Sequence, residues 1–182
     1  MAEKVILTGG DKLRARLLEL SRNVSGASKV NVGFLGNSTE PGGANTAMVA
    51  AIQEFGAPAK GIPPRPFFRT MVAKEEGHWG DDLGALLKAH DYDAKKCLEL
   101  MGDEISGELR DSIVELTSPE LSDVTLLLRE RFGNSPENIT FADVQQARRD
   151  IAAGVKPQVT ETQAKPLVWT GAMLDSIDKE VE

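Results

Sequence analysis

Six side chains within one short run, His78, Asp81, Asp82, His90, Asp91 and Asp93, form the densest cluster of metal-ligating and proton-transferring types in the chain. A zinc site built on one helix needs two histidines a turn apart, with ligand atoms converging on one point. Here the histidines lie twelve residues apart and the acids between them are consecutive. The run therefore reads as a solvated helix junction, and a small metal-dependent hydrolase built on it is the weaker alternative. Cys97 is the sole cysteine and sits beside Leu98 in a helical pattern. It reads as a small buried hydrophobe, since a reactive thiol needs an electropositive setting. Ser106, Ser112 and Ser176 lie in nothing like the Gly-x-Ser-x-Gly elbow that exposes a nucleophile. The Gly- and Pro-rich loop at 37–45 lacks the Lys-Ser/Thr pair of a phosphate-binding loop. Arg129, Arg131, Arg148 and Arg149 read as solvated helix charges or partner contacts. Asn138-Ile139-Thr140 matches a glycosylation acceptor, a match that is idle without a secretory route. No catalytic constellation emerges, so the expectation is a protein that is not an enzyme and needs neither metal nor cofactor.

Composition narrows the partners. The 182 residues carry 28 acids against 21 strong bases, a formal net charge of -7. A grip on nucleic-acid phosphates needs clustered Lys and Arg, and base stacking needs aromatics, which make up only 5%. No stretch approaches the roughly 18 apolar residues of a membrane span. Met1–Gly10 holds one lysine and a short apolar run, Val5–Leu7, so it does not read as a secretory signal, and folding in a reducing cytoplasm is expected.

The elements that must position these groups follow from periodicity. Leu13, Leu17 and Leu20 share a face over 11–22, an amphipathic helix expected to lie on a sheet, with Asp11 at its N-cap. Val30, Val32 and Phe34 alternate within a strand over 29–36. A helix over 46–55 places Met48, Ile52 and Phe55 at helical spacing. Pro58, Pro63, Pro64 and Pro66 then forbid a helix and hold an extended apolar arm over 56–69. From His78, helices return. Leu98, Met101, Ile105, Leu109, Ile113 and Leu116 recur at steps of three or four, predicting a helix over 93–116, about 36 Å long at 1.5 Å per residue. Gly102 and Gly107 inside it imply close approach of another backbone. Residues 117–165 read as a helical insertion in a single domain spanning 1–182. Its helices lie at 122–132, closed by Gly133, and at 140–153, opened by Thr140 with Asp143 and stopped by Gly154. Residues 158–164 read as polar and flexible. Ile177, Lys179 and Val181 share one face of a terminal strand, with Asp178 and Glu180 opposite.

Three short motifs stand in a fixed order. Glu54-Phe55-Gly56 closes a helix, Ile62-Pro63-Pro64-Arg65-Pro66-Phe67 follows, and Thr170-Gly171, with Leu174, Ser176 and Ile177, precedes the last strand; Val32-Gly33-Phe34-Leu35-Gly36 comes before them all. This order resembles the tailed-bacteriophage neck and tail-completion family of virion morphogenesis, or minor tail, proteins. Ala50-Ala51 stands where that family often has Tyr-Ala, Trp169 replaces its acid before Thr-Gly, and the insertion is longer than in compact members.

The resemblance implies an α+β subunit, a small antiparallel sheet packed by N-terminal and long central helices. It also implies a homo-oligomeric, hexameric ring in the head-tail connector that joins the tail to the portal-adaptor complex and passes DNA. A tail terminator and a portal-proximal adaptor remain alternatives within the same assembly. The implied location is the virion neck, after synthesis in the host bacterial cytoplasm, and the implied partners are other copies of the chain and adjoining connector and tail proteins.

Chemistry adds residues to that expectation. Aromatic and arginine anchors on a stiff arm lose little entropy on docking, so Ile62, Pro63, Pro64, Arg65, Pro66, Phe67 and Phe68 are the expected subunit interface; the bland alternative is that the aromatics cap their own core. Gly56 and Gly171 serve backbone geometry, and Thr170 caps the turn that follows. Duplex DNA carries one charge per about 1.7 Å, so a lumen that lets it slide should be acidic, with Asp81, Asp82, Glu120 and Asp123 as candidates.

Overall fold

The longest apolar periodicity becomes the central helix, and the rest of the molecule is arranged against it. The computed structural model describes residues 9–36, 38–133 and 135–182. The expectations for 1–8 and for Asn37, at the head of the 37–45 loop, lie outside the described residues. In chain order the main elements are α1 (Gly10–Val24), β1 (Val30–Gly33), α2 (Thr46–Phe55), α3 (Phe67–Ala89), α4 (Ala94–Glu115), α5 (Asp123–Phe132), α6 (Phe141–Ala152), α7 (Glu161–Ala164), α8 (Ala172–Asp175) and β2 (Asp178–Val181). The result is the expected α+β fold, mostly helical with one two-stranded antiparallel sheet.

Asp93 caps α4 by accepting the Lys96 amide, and Cys97, Met101, Leu109 and Ile113 line its buried side. The strands pair with Val30 opposite Val181 and Gly33 opposite Asp178, and both lie on α4. Gly102 makes that approach possible: a Cβ there would fall 2.8 Å from a Lys179 side-chain carbon and 2.9 Å from one of Val30. Gly107 has open space around it and plays no such part. Along β2 the expected alternation holds, with Lys179 and Val181 half-buried and Asp178 and Glu180 exposed. β1 is shorter than expected; Leu35 and Gly36 leave it and face solvent.

The arm also ends earlier than the prolines suggested. Helix α3 starts at Phe67, directly after Pro66, eleven residues ahead of His78. A proline just before the first turn lacks only a donor that the helix does not use. α3 packs along α4 as a hairpin, turning through Asp91 and Tyr92, whose φ values are 60° and 62°. α1 leans on α4 rather than lying on the sheet. It is fixed at the hairpin turn, where Arg16 pairs with Asp91 and the Asn23 amide donates to the Asp91 carbonyl at 3.0 Å. Asp11 falls in the first turn of α1 and Gly9 takes the cap position.

The insertion has a small core of its own. Leu127, Leu128 and Ala147 are buried between α5 and α6, flanked by Val124, Phe132 and Val144. Ser122 caps α5, and Thr140 with Asp143 closes the expected capping box on α6. The 158–164 segment, expected to be flexible, contains α7, opened by a Thr160–Gln163 capping box. Among the described residues no helix is long and apolar enough to cross a membrane.

Candidate functional site: a motif core and uncovered helix faces

Asn45 starts α2 by accepting the Met48 amide at 3.0 Å, and the helix runs to Glu54-Phe55-Gly56. Glu54 is 5% exposed. Its carboxylate accepts the Phe68 amide at 2.9 Å, the Arg69 amide at 3.3 Å and Arg69 Nε at 2.7 Å. It is thus the cap of α3, supplied from another helix because Pro66 has no side chain that could do the work. The remaining first-turn amides are satisfied locally, Phe67 by the Arg65 carbonyl and Thr70 by that of Pro66. Gly56 lets the chain double back: its φ is 75°, and a Cβ would lie 2.8 Å from the Pro64 nitrogen and 2.9 Å from the Ile62 oxygen.

The Ile62–Phe67 motif consequently folds onto its own chain. Ala57 and Ile62 form an antiparallel bridge, and the Arg65 amide donates to the Gln53 carbonyl at 2.7 Å. The Arg65 guanidinium donates to Gln53 Oε1 at 3.0 Å and to the Pro119 carbonyl at 3.2 Å. Phe67 is 1% exposed and meets Phe34 edge-to-face at 6.2 Å between ring centres. This corrects the expected interface: Arg65 and Phe67 are buried within the subunit, Ile62, Pro66 and Phe68 are half-buried, and only Pro63 and Pro64 are exposed. The burial of Phe67 follows from its place at the head of α3, where it turns inward.

The third motif reaches the same core from the far end of the chain. Leu167, Met173 and Ile177 pack with Ala50, Phe67, Met71, Leu109 and Ile113. Thr170 Oγ1 donates to Glu40 Oε2 at 3.1 Å and accepts the Ala172 amide at 3.1 Å, and Gly171 takes the cap position of α8. Glu54-Phe55-Gly56, the proline motif and Thr170-Gly171 therefore meet in one packed unit.

Helices α1 and α2 each leave more than one large apolar side chain uncovered, and α6 leaves Phe141, 77% exposed, at its start. Of the three residues at helical spacing on α2, Met48 and Phe55 are 63% and 66% exposed and Ile52 is half-buried, while Thr46, Ala50 and Glu54 point in. Beside Phe55, whose ring lies 5.2 Å under the Arg69 guanidinium, an apolar groove of about 250 Å³ runs over Phe34, Ala50 and Phe68. On α1, Leu13, Leu17 and Leu18 are each more than half exposed.

The expected lumen acids sit on separate elements. Asp81 and Asp82 lie on α3, Glu120 precedes α5 and Asp123 opens it. Asp82 is engaged: it stands one turn after His78, with its Oδ2 2.5 Å from His78 Nδ1. This helical phasing corrects the description of these acids as merely consecutive. Glu75, one turn earlier, and Glu108 on α4 approach His78 Nε2 at 3.1 Å and 3.3 Å. Their signal was present in the spacing Glu75-x-x-His78-x-x-x-Asp82, while Glu108 comes from a helix that sequence alone does not place. Asp82 first, then Glu75, raise the imidazole's pKa above its ordinary value. The rest of the run disperses, with His90 at the C-cap of α3, Asp91 on Arg16 and Asp93 capping α4.

Arg129 was missed as a buried group. It is 3% exposed and donates to the carbonyls of Gln163 (2.8 Å), Lys165 (2.6 Å) and Pro166 (2.9 Å), with its guanidinium 5.0 Å over Trp169. Burial lowers its pKa to about 10. No carboxylate marks such a site in sequence, since all three acceptors are backbone. Arg131 pairs with Asp150 on the surface, and Arg148 and Arg149 are exposed as expected. Cys97 is buried, and burial raises its thiol pKa. Ser106, Ser112 and Ser176 each donate to a backbone carbonyl, of Gly102, Phe67 and Ala172 respectively.

No family model matches the chain, no curated protein matches its sequence and no solved structure matches its fold.

Proposed function

We propose that the chain is a non-catalytic structural subunit that closes with copies of itself into a hollow ring, hexameric by resemblance, in the neck of a tailed bacteriophage. The observation that carries the proposal is the pair of uncovered apolar faces, Leu13, Leu17 and Leu18 on α1 and Met48 and Phe55 on α2. Large side chains clustered on the outside of a helix mark contact surfaces, and under α2 the chain has its own packed core through Ala50. The order of the three motifs supports the family, because they cooperate in one unit that presents α2 outward. Contacts between subunits thereby move from the proline arm to α1 and α2. The negative charge supports a lumen that does not hold duplex DNA, with Asp81, Asp82, Glu120 and Asp123 the acids that would serve it. The ring would join connector and tail proteins in the virion, after synthesis in the bacterial cytoplasm.

Mass and symmetry measurement on the protein, alone and co-assembled with portal and tail components, tests the reading. The expected result is a ring in assembled particles, lost in Met48→Glu/Phe55→Glu and in Leu13→Glu/Leu17→Glu proteins that keep the native circular dichroism. Absence of the chain from mature particles, normal rings from both variants, or strong salt-dependent DNA binding would overturn it.

A further inference from the structure

The His78 cluster has a geometry that ring formation does not use. Glu75 and Glu108 each have one carboxylate oxygen tethered by a neighbour outside the cluster: Lys74 Nζ lies 2.7 Å from Glu75 Oε1, and Trp79 Nε1 donates to Glu108 Oε2 at 2.9 Å. The other oxygen of each, Glu75 Oε2 and Glu108 Oε1, is left facing His78 Nε2 at 3.1 Å and 3.3 Å. The opposite ring nitrogen is held by Asp82 at 2.5 Å. Carboxylate support on one imidazole nitrogen orients the ring and makes the other a better ligand. Zinc bonds of about 2.0–2.2 Å place adjacent ligand atoms roughly 2.9–3.4 Å apart, between octahedral and tetrahedral angles. Both measured edges fall in that window, and all three ligand atoms lie within 4.8 Å of one another.

We propose that Glu75 Oε2, His78 Nε2 and Glu108 Oε1 bind one divalent zinc-class ion, with water completing its coordination, and that the ion ties α3 to α4. The mixed nitrogen and carboxylate set favours zinc over magnesium, which prefers oxygen alone. The ligands are 16–41% exposed at their side chains, open enough for an ion to enter. Glu104 shares the Asp82 side of the ring and adds negative charge there. None of the three ligands belongs to the apolar faces proposed for ring contacts, so failure of one reading leaves the other standing.

Calorimetric titration of the chelator-treated full-length chain with zinc chloride tests it, with cobalt(II) absorption as a spectroscopic readout. The expected result is one ion per chain, with a thermal midpoint raised by zinc. Binding should weaken at least about tenfold in both His78→Ala and Glu108→Gln, and remain unchanged in His90→Ala. Glu108→Gln keeps an acceptor for Trp79, so it separates ligation from packing. No saturable uptake by the wild-type chain, or uptake that survives His78→Ala, would overturn the proposal.

Discussion

The two cores of this molecule are built on opposite plans. The main core joins Ala50, Phe67, Leu109, Ile113, Leu167, Met173 and Ile177, residues drawn from nearly the whole chain. The insertion's core joins Leu127, Leu128 and Ala147, which one helical hairpin brings together. The first exists only when distant segments have closed on one another, at a cost in chain entropy that short-range contacts avoid. The second can form from its own stretch of sequence. Polar bonds cross the seam between them: Arg65 reaches the Pro119 carbonyl, Arg129 the Pro166 carbonyl and the Trp169 indole the Gly133 carbonyl. Two separately packed units are thus joined by side-chain-to-backbone bonds from Arg65, Arg129 and Trp169, with Arg129 stacked on the Trp169 ring.

The strongest way to break this contrast is Phe67→Ala. Deleting a fully buried aromatic costs about 3–5 kcal/mol, a large part of the stability of a domain this size. Hydrogen exchange should show protection lost across α2, the first turns of α3, the middle of α4 and residues 167–177, while α5 and α6 keep most of theirs. Uniform loss over both units would show that they unfold as one. The same burial explains why Phe67→Ala cannot serve as a clean test of assembly.

Arg129→Met addresses the seam, with a smaller effect. Methionine keeps the packing on Trp169 but leaves three carbonyls without their charged donor, a loss of about 2–3 kcal/mol. Residues 158–169 should become the preferred site of limited proteolysis, with the main core otherwise intact. Arg129→Lys should recover only part of the loss, because a single ammonium cannot reproduce the planar fork or the stack on the indole. Equal resistance of wild type and Arg129→Met would mean that apolar contacts alone hold the two units together.

What could be read from the residues divides along the same line. The insertion was legible because its signals are local: Ser122, Thr140 with Asp143, and Gly133 and Gly154 at the stops all act within a turn of where they stand. α4 was legible for a similar reason, its apolar steps persisting over its full length. The main core was harder. Helical spacing in α2 groups Met48, Ile52 and Phe55 but does not fix which way that face turns. The structure settles it through Phe67, which shares the main core with Ala50 and so makes the Ala50 face of α2 the inner one. The start of α3 was hidden because its cap, Glu54, lies across a proline turn instead of beside it. In the His78 cluster the ligands on α3 were readable by spacing, whereas Glu108 enters through the α3–α4 pairing.

The smallest perturbation sharpens the comparison most selectively. Thr140 closes α6 reciprocally with Asp143: the Asp143 carboxylate accepts the Thr140 amide at 2.9 Å and its hydroxyl, while the hydroxyl oxygen accepts the Asp143 amide at 3.4 Å. Thr140→Ala removes the hydroxyl and should cost about 1 kcal/mol, felt in α5 and α6 alone. The Thr140 hydroxyl is also the main reason that the Asp143 carboxyl titrates below its ordinary 3.8. A lowered folded-state value means that this contribution is present above the unfolded pKa and disappears as pH falls through the folded one. The wild type should therefore hold its advantage over Thr140→Ala at neutral pH and lose part of it in acid, with the Asp143 titration, followed by NMR, moving up in the variant. Were main-core amides to lose protection alongside those of α6, the two units would share one folding transition, and the seam would be transmitting stability that its geometry assigns to each side separately.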